Sequence, residues 1–317
     1  MAVLPATPET IDRAAARLRD GAVIAFPTET VYGLGAAAFN AQAVARIFEI
    51  KARPTFDPLI VHVADEAMLR RVVLDVPTLA RRLIERFWPG PLTLVLRKDS
   101  RVPDLVTAGL ATVAVRMPAH PVARAIIERA GIALAAPSAN PFGYLSPTRA
   151  EHVLRMLGDR VPMIVDGGPT LHGMESTIVM IEPVPTLLRY GAIAAEAIEA
   201  ITGPLARELS DAAKPLAPGR LPQHYAPATP IRVIDGNGAA MEQRADAVLL
   251  AFRAPVEGYR DLRVLSPRGD LCEAAMHFFE YLHELDTLGA TRIDAQAVPN
   301  EGMGIAIMDR LRRASHA

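Results

Sequence analysis

Ala22-Val23-Ile24-Ala25-Phe26-Pro27-Thr28-Glu29-Thr30-Val31-Tyr32-Gly33-Leu34-Gly35 joins a short apolar run to a polar, glycine-containing stretch. Residues 22–26 have the length and composition of a buried strand. Before them, residues 10–19 carry a helical pattern stopped by Gly21. After them, residues 41–51 place Val44, Ile47, Phe48 and Ile50 at helical spacing behind the capping residue Asn40. The alternation continues. Residues 59–63, 92–96, 111–117, 132–136, 163–165, 177–181 and 186–189 read as strands, with helical patterns between several of them. That order predicts an α/β fold built on a large, twisted, partly mixed sheet with a concave cleft. Gly33-x-Gly35-x-x-Ala38 matches the dinucleotide fingerprint loosely, with Asp57 about 20 residues on. The match is discounted because Pro27 to Tyr32 separate the first glycine from the strand it should end. The plainer reading is that both glycines let the backbone turn into the next helix.

Composition narrows the function classes. The chain has 317 residues, half of them hydrophobic and 22% charged, enough for two domains with sizeable cores. Its formal net charge of -1 gives no global field for nucleic acid. A single cysteine, Cys272, rules out an internal disulfide framework and a cysteine-rich zinc site. Glu9, Asp12 and Arg13 stand where a signal peptide needs an apolar run, so a cytoplasmic protein is expected. Of 34 basic residues only Lys51, Lys98 and Lys214 are lysine. A lysine kept at position 51, close to Arg53, suggests a need for a compact ammonium.

Residues 214–230 contain Pro215, Pro218, Pro222, Pro227 and Pro230 with Gly219, too proline-dense for a helix or a central strand. Beyond them, residues 231–234 and 247–252 read as strands. Residues 271–288 read as an amphipathic helix with Ala275, Phe278, Leu282 and Leu285 on one face, and residues 305–313 as a second helix. The expected division is a catalytic domain over 1–205, a linker over 206–228 that crosses the active site, and a small Rossmann-like α/β domain over 229–317.

The polar candidates are dispersed. Lys51 and Arg53 stand near a helix end before Pro54, where cations are favoured with or without a ligand. Taken alone the plain helix-end reading is preferred; taken with the neighbouring motifs, the pair faces a polyphosphate from solvent, one as a point charge and one as a planar fork. His62 lies in an apolar strand, and Arg116 in Val113-Ala114-Val115-Arg116-Met117 is a guanidinium that needs an anion. Ser138, Asn140, Ser146 and Ser176 suit turns or caps as well as ligands. Tyr225 suits a hydrophobic tack for the linker.

Five stretches resemble the YrdC-like family of threonylcarbamoyl-AMP synthases. They are Pro27 to Gly35, Lys51-x-Arg53-Pro54, Asp57-Pro58-Leu59-Ile60-Val61-His62, Ala136-Pro137-Ser138-Ala139-Asn140 and Glu175-Ser176-Thr177-Ile178-Val179. Pro218-Gly219 with His224-Tyr225-Ala226-Pro227, and Glu301-Gly302-Met303-Gly304 with Asp309-Arg310-Leu311, resemble its longer, two-domain branch. The resemblance implies condensation of L-threonine, bicarbonate or CO2, and ATP into L-threonylcarbamoyladenylate, with Mg2+ carried by ATP. It also implies hand-over to a tRNA threonylcarbamoyl transferase complex, leaving direct tRNA contact open. Carried over position by position, Thr30, His62, Arg116, Ala136 and Ser176 line the threonine site. Lys51, Arg53, Asp57, Thr112, Ser138, Asn140, Ser146, Arg189 and Tyr225 contact or organise ATP, with Lys51 and Arg53 also the catalytic cations. The linker departs from the family in having Leu221 and Gln223 where a lysine and an arginine are usual. A carbamate is itself an anionic nucleophile, so no serine or cysteine nucleophile is required; the kit of cations, hydroxyls and amides suffices. Two other readings make different demands on the sequence. Carbamoyl-adenylate chemistry of hydrogenase maturation would bring acylphosphatase and cysteine-rich zinc modules. An RNA-binding module would need a basic surface with exposed aromatics, and only 5% of residues are aromatic.

Overall fold

The structure, a computed structural model, describes residues 2–208, 216–219, 225–236 and 244–315. Leu221, Gln223 and His224 lie outside the described residues. A large mixed sheet runs in the order Ala2–Pro5, Met163–Asp166, Ile24–Phe26, Gly33–Ala37, Leu134–Ala135, Ile60–His62, Thr112–Arg116, Leu92–Arg97, Thr177–Met180, Thr186–Arg189, Ala206–Arg207. Parallel and antiparallel pairings are mixed along it: the first two are parallel, the next three antiparallel, and the two kinds alternate from Ile60–His62 onward. The α/β class and the mixed sheet therefore match the expectation.

Strand periodicity separates two faces of this sheet. Val61, Leu94, Leu96, Val115, Val179 and Leu187 point into one hydrophobic core, which runs from Ile11 to Leu205 and includes the helical residues Leu18, Ile47 and Ile126. The alternate residues Ile60, Val95, Ala114, Ile178 and Leu188 form a second apolar layer on the opposite face, covered by Leu216 and Ala217 of the proline-rich segment. His62 and Arg116 are register partners on neighbouring parallel strands, two residues beyond Ile60 and Ala114, so they share that opposite face. The polar site grows from this layer.

The glycine stretch corrects the reading made from sequence. Gly33–Ala37 is a strand antiparallel to Ile24–Phe26, not a turn into a helix. Glycine weakens a strand and hides its signal. Here it permits close packing: a Cβ on Gly35 would lie 2.5 Å from Phe26 Cε1. The helix Ala41–Lys51 follows as expected, with Asn40 Oδ1 accepting from Ala43 N at 3.1 Å and Ala52 closing it in a left-handed conformation.

The C-terminal sheet is four-stranded and wholly parallel, in the order Ile231–Ile234, Arg292–Gln296, Ala247–Ala251, Asp261–Val264. Leu271–Asp286 and Met303–Ser315 are its helices, the first capped by Asp270. Two of these strands were not foreseen, because charge interrupts their apolar runs. Buried Asp294 sits in one of the two inner strands, held by Arg232, Arg292 and Tyr259. The core of this smaller unit extends to Val31, Leu145 and Met174 of the large one.

Candidate active site

Thr28 and Thr30 begin the site. The Thr28 hydroxyl donates to the Val31 carbonyl at 2.6 Å and lies 2.8 Å from the Thr30 hydroxyl, which fixes the turn after strand Ile24–Phe26. Thr30 Oγ1 in turn accepts from Arg116 Nη1 at 2.9 Å. Glu29 makes an ion pair with Arg116 Nη2 at 2.8 Å, both side chains almost wholly buried. His62 stands beside this pair. Burial, reinforced by the Arg116 charge, pushes its imidazole down to about 3, so it is neutral at ordinary pH. Its Nδ1 makes no hydrogen bond with the described residues.

Across the cavity, Arg189 grips the wall. Its Nε and Nη2 donate to the Ser176 carbonyl at 3.1 and 2.9 Å, Nη2 reaches Ser176 Oγ at 3.1 Å, and Nη1 donates to the Pro218 carbonyl at 3.3 Å. The Ser176 hydroxyl is also 2.7 Å from Thr93 Oγ1. Arg53 donates from Nε to the Asp57 carbonyl and from Nη2 to the Pro58 carbonyl, and pairs with the Asp57 carboxylate at 2.8 Å. Burial raises the Asp57 carboxyl, while Arg53 opposes the shift.

One cavity therefore gathers Thr30, Arg53, His62, Arg116, Ala136, Ser138, Ser176, Arg189 and Tyr225, nine residues singled out from the sequence. Five others are near it without lining it, or are apart. Lys51 was expected to face solvent and is instead 1% exposed. Its Nζ donates to the carbonyls of Ser138 and Asn140 at 2.6 and 2.5 Å, with Asn140 Oδ1 at 3.3 Å. Three acceptors match the three N–H bonds of an ammonium, although burial and the neighbouring Arg53 drive its pKa well down. Lys51 thus builds the Ser138–Asn140 loop from beneath. Arg53, also expected in solvent, is 7% exposed because Asp57 and two carbonyls hold it in the wall. Asp57 braces Arg53. Asn140 spends its amide nitrogen on the carbonyls of Pro141 and Tyr144. Ser146 donates to Glu175. Thr112 lies on the same sheet face as Arg116, but four residues back along the strand, about 13 Å at the usual rise. It lines a separate small cavity with Arg97 and Glu182.

Sequence reasoning missed three contributors. Glu29 and Glu175 sit inside the quoted motifs but were not assigned roles; a carboxylate beside a buried arginine was the available signal. Gly219, from sequence no more than a glycine within the proline-dense stretch, lines the cavity against Tyr225 and Arg189. Among the described residues no group of three or more His, Cys, Asp or Glu side chains is placed to hold a metal, and no helix is long and apolar enough to cross a membrane.

Comparison with known proteins accords with this geometry. Residues 16–191 match the Sua5/YciO/YrdC family model, described as "Telomere recombination", and residues 193–316 match the model described as "Threonylcarbamoyl-AMP synthase, C-terminal domain". The chain is 43% identical to a threonylcarbamoyl-AMP synthase of Bacillus subtilis strain 168, over 96% of this chain and 92% of the relative. It is 41% identical to one from Pyrococcus abyssi, over 95% and 93%. The crystal structure of P. abyssi Sua5 complexed with L-threonine superposes with a TM-score of 0.93 at 37% identity, covering all of this chain and 98% of that one. A mixed sheet with a polar cavity on one face and a small parallel sheet behind it, matched by sequence along both halves, makes this chain a member of the Sua5/YciO/YrdC family in its two-domain, threonylcarbamoyl-AMP synthase form.

Proposed function

We propose that this protein is an L-threonylcarbamoyladenylate synthase. It joins L-threonine, bicarbonate or CO2, and ATP, and releases pyrophosphate, for the modification of the adenosine next to the anticodon in tRNAs reading ANN codons. The observation that carries the reading is the pairing, in one cavity, of a buried guanidinium flanked by a hydroxyl and a neutral imidazole with two further guanidiniums and a hydroxyl-bearing loop.

Arg116 is suited to the carboxylate of threonine: its Nε makes no hydrogen bond with the described residues. Thr30, Ser176 and neutral His62 can meet the amino acid's polar groups without adding charge, and Ala136 limits its side chain. Arg53, Arg189 and Ser138 face the side where phosphates would lie, with Tyr225 closing it. The carbamate formed on threonine's amine supplies an oxygen that bonds to the α-phosphorus, and the bond to the pyrophosphate oxygen breaks, so the pyrophosphate leaves with its electron pair. Fixed guanidiniums stabilise the charge that develops on these oxygens and hold both reactants in line.

Nearby carboxylates are engaged: Asp57 with Arg53, Glu29 with Arg116, Glu175 with Ser146 and Arg310. Magnesium accordingly enters with ATP as part of the substrate, and no residue of the chain is assigned to it. Lys51, Asp57, Asn140 and Ser146 support the ATP side from behind, and Thr112 meets ATP only if the nucleotide extends along the strand toward Arg97. The division into a catalytic domain over 1–205, a linker over 206–228 and a small domain over 229–317 belongs to the same proposal. So do a cytoplasmic location and hand-over of the adenylate to a transferase. Pyrophosphate release that requires both threonine and bicarbonate is the test; release independent of threonine would overturn the assignment.

A further inference from the structure

Arg310 lies on the last helix, Met303–Ser315, yet its side chain is fully withdrawn from water. Its Nε and Nη2 donate to Oε2 of Glu175 at 3.3 and 3.1 Å, and its Nη1 pairs with the adjacent Asp309. The same guanidinium lies over the ring of Tyr225, 5.2 Å from its centroid. Glu175 accepts from Ser146 through its other oxygen. Both residues that Arg310 touches across the domain boundary, Glu175 and Tyr225, line the active-site cavity, while no described residue beyond Tyr225 does. Tyr225 also holds a left-handed backbone with φ of 64°, an arrangement that a bulky residue keeps only where its surroundings impose it.

We propose that Arg310 is a positioning residue for the nucleotide side of the cavity, clamping Tyr225 by its face and Glu175 by its edge so that the second domain sets the closed geometry of a site it does not line. A buried ion pair adds little to stability that an apolar pair of equal volume would not. What an apolar pair lacks is direction. The planar fork fixes the carboxylate next to Ser176, and the stacked face fixes the ring above it. Ser176 in turn carries the carbonyl that Arg189 grips, so a shift at Glu175 is passed to two lining groups.

The inference builds on the adenylate-forming reading, and its test keeps the two apart by measuring ATP binding directly. In the full-length protein, Arg310→Lys retains the charge and loses the fork and the stack. The double variant Glu175→Gln with Arg310→Met removes both charges while keeping bulk. Arg232→Met, which removes one of the two arginines paired with buried Asp294 within the second domain, serves as a stability control. Calorimetry with ATP alone should show affinity reduced about 10-fold or more in both Arg310 variants, with threonine affinity within about 2-fold of the parent chain. KM for ATP should rise more than kcat falls. The control should lower the melting temperature without moving either affinity. Unchanged ATP affinity in the double variant, or losses that simply track melting temperature as in the control, would overturn the proposal. If Arg310→Lys does not fold, the double variant decides alone. An unmodified chain that binds ATP but makes no threonine-dependent pyrophosphate would overturn the proposed function and leave the positioning test intact.

Discussion

Arg116 and Glu29 face each other at 2.8 Å with almost no exposure to water, so the guanidinium offered to a substrate carboxylate already has a carboxylate of its own. An arginine alone in this position would carry a large desolvation penalty, and Glu29 offsets it before any substrate arrives. Thr30 fixes Nη1, and Nε is left for a ligand. The cavity is therefore preorganised around a compensated charge.

Arg116→Lys should lower threonine affinity about 10-fold or more, since a point charge cannot reproduce a two-pronged contact and Thr30 and Glu29 compete for it. Binding of ATP without threonine should be roughly kept. Calorimetric titration of each ligand separates the cases, and equal loss of both would give Arg116 a general structural role.

Lys51→Ala should damage the fold as well as activity, contrary to what a surface cation would do. Removing the ammonium leaves the buried carbonyls of Ser138 and Asn140 without their donor, a cost of about 1–3 kcal/mol. A urea midpoint close to that of the parent chain would show that this loop stands without Lys51.

Acid should loosen the joint between the two units. His152 and His283 stack with ring centroids 4.0 Å apart, and Arg155 donates to His283 Nδ1, which leaves Nε2–H to donate to the Ser146 carbonyl. Burial, with each other's charge and that of Arg155 and Arg149, pushes His152 down to about 2; burial and Arg155 push His283 down to about 3. Both folded values lie below the ordinary 6.5, so the unfolded chain binds these protons first. Stability is whole above about pH 6.5 and falls as pH drops toward 3, by at most about 1.4 kcal/mol per pH unit for each ring. His283→Gln should flatten this slope between pH 7 and pH 5 in urea unfolding. An unchanged slope would place the acid sensitivity elsewhere.

Gly219→Ala should impair nucleotide binding more than stability. Gly219 has φ of 80°, and a Cβ there would come within 2.5 Å of Tyr225 Oη and 3.2 Å of Arg189 Nη1. Either the ring or the covering segment must move. KM for ATP should rise several-fold with the melting temperature nearly constant; a fully active variant would mean that the segment does not cover bound nucleotide.

Ending the chain near Ala206 should leave a folded large unit, because its main core closes by Leu205. The same cut exposes Val31, Leu145 and Met174 and strips Arg310 from Glu175. The shortened protein is expected to bind ATP weakly and to lose its adenylate to hydrolysis, and ending it after Pro230 to give an intermediate result. Product made and retained as well as by the full chain would refute the covering role and favour the second domain as a docking surface.

Local pattern was enough for the α/β class, the helix from Asn40 to Lys51 and most strands of the large sheet, because periodicity and capping act within a few residues. The dispersed motifs also marked nine residues that the fold brings into one cavity. Strand Gly33–Ala37 escaped because its glycines serve a close approach to Phe26, and the strand holding Asp294 because a buried carboxylate looks like a surface one until its arginines are located. The depth of Lys51 was equally hidden: the acceptors that bury it lie 87 and 89 residues away. Sequence by itself determined which residue types the chemistry has. Tertiary structure alone decided which of them face the cavity and which brace it from behind, because charge compensation, stacking and exclusion of water depend on partners that chain order does not bring together, as between Arg310, Glu175 and Tyr225.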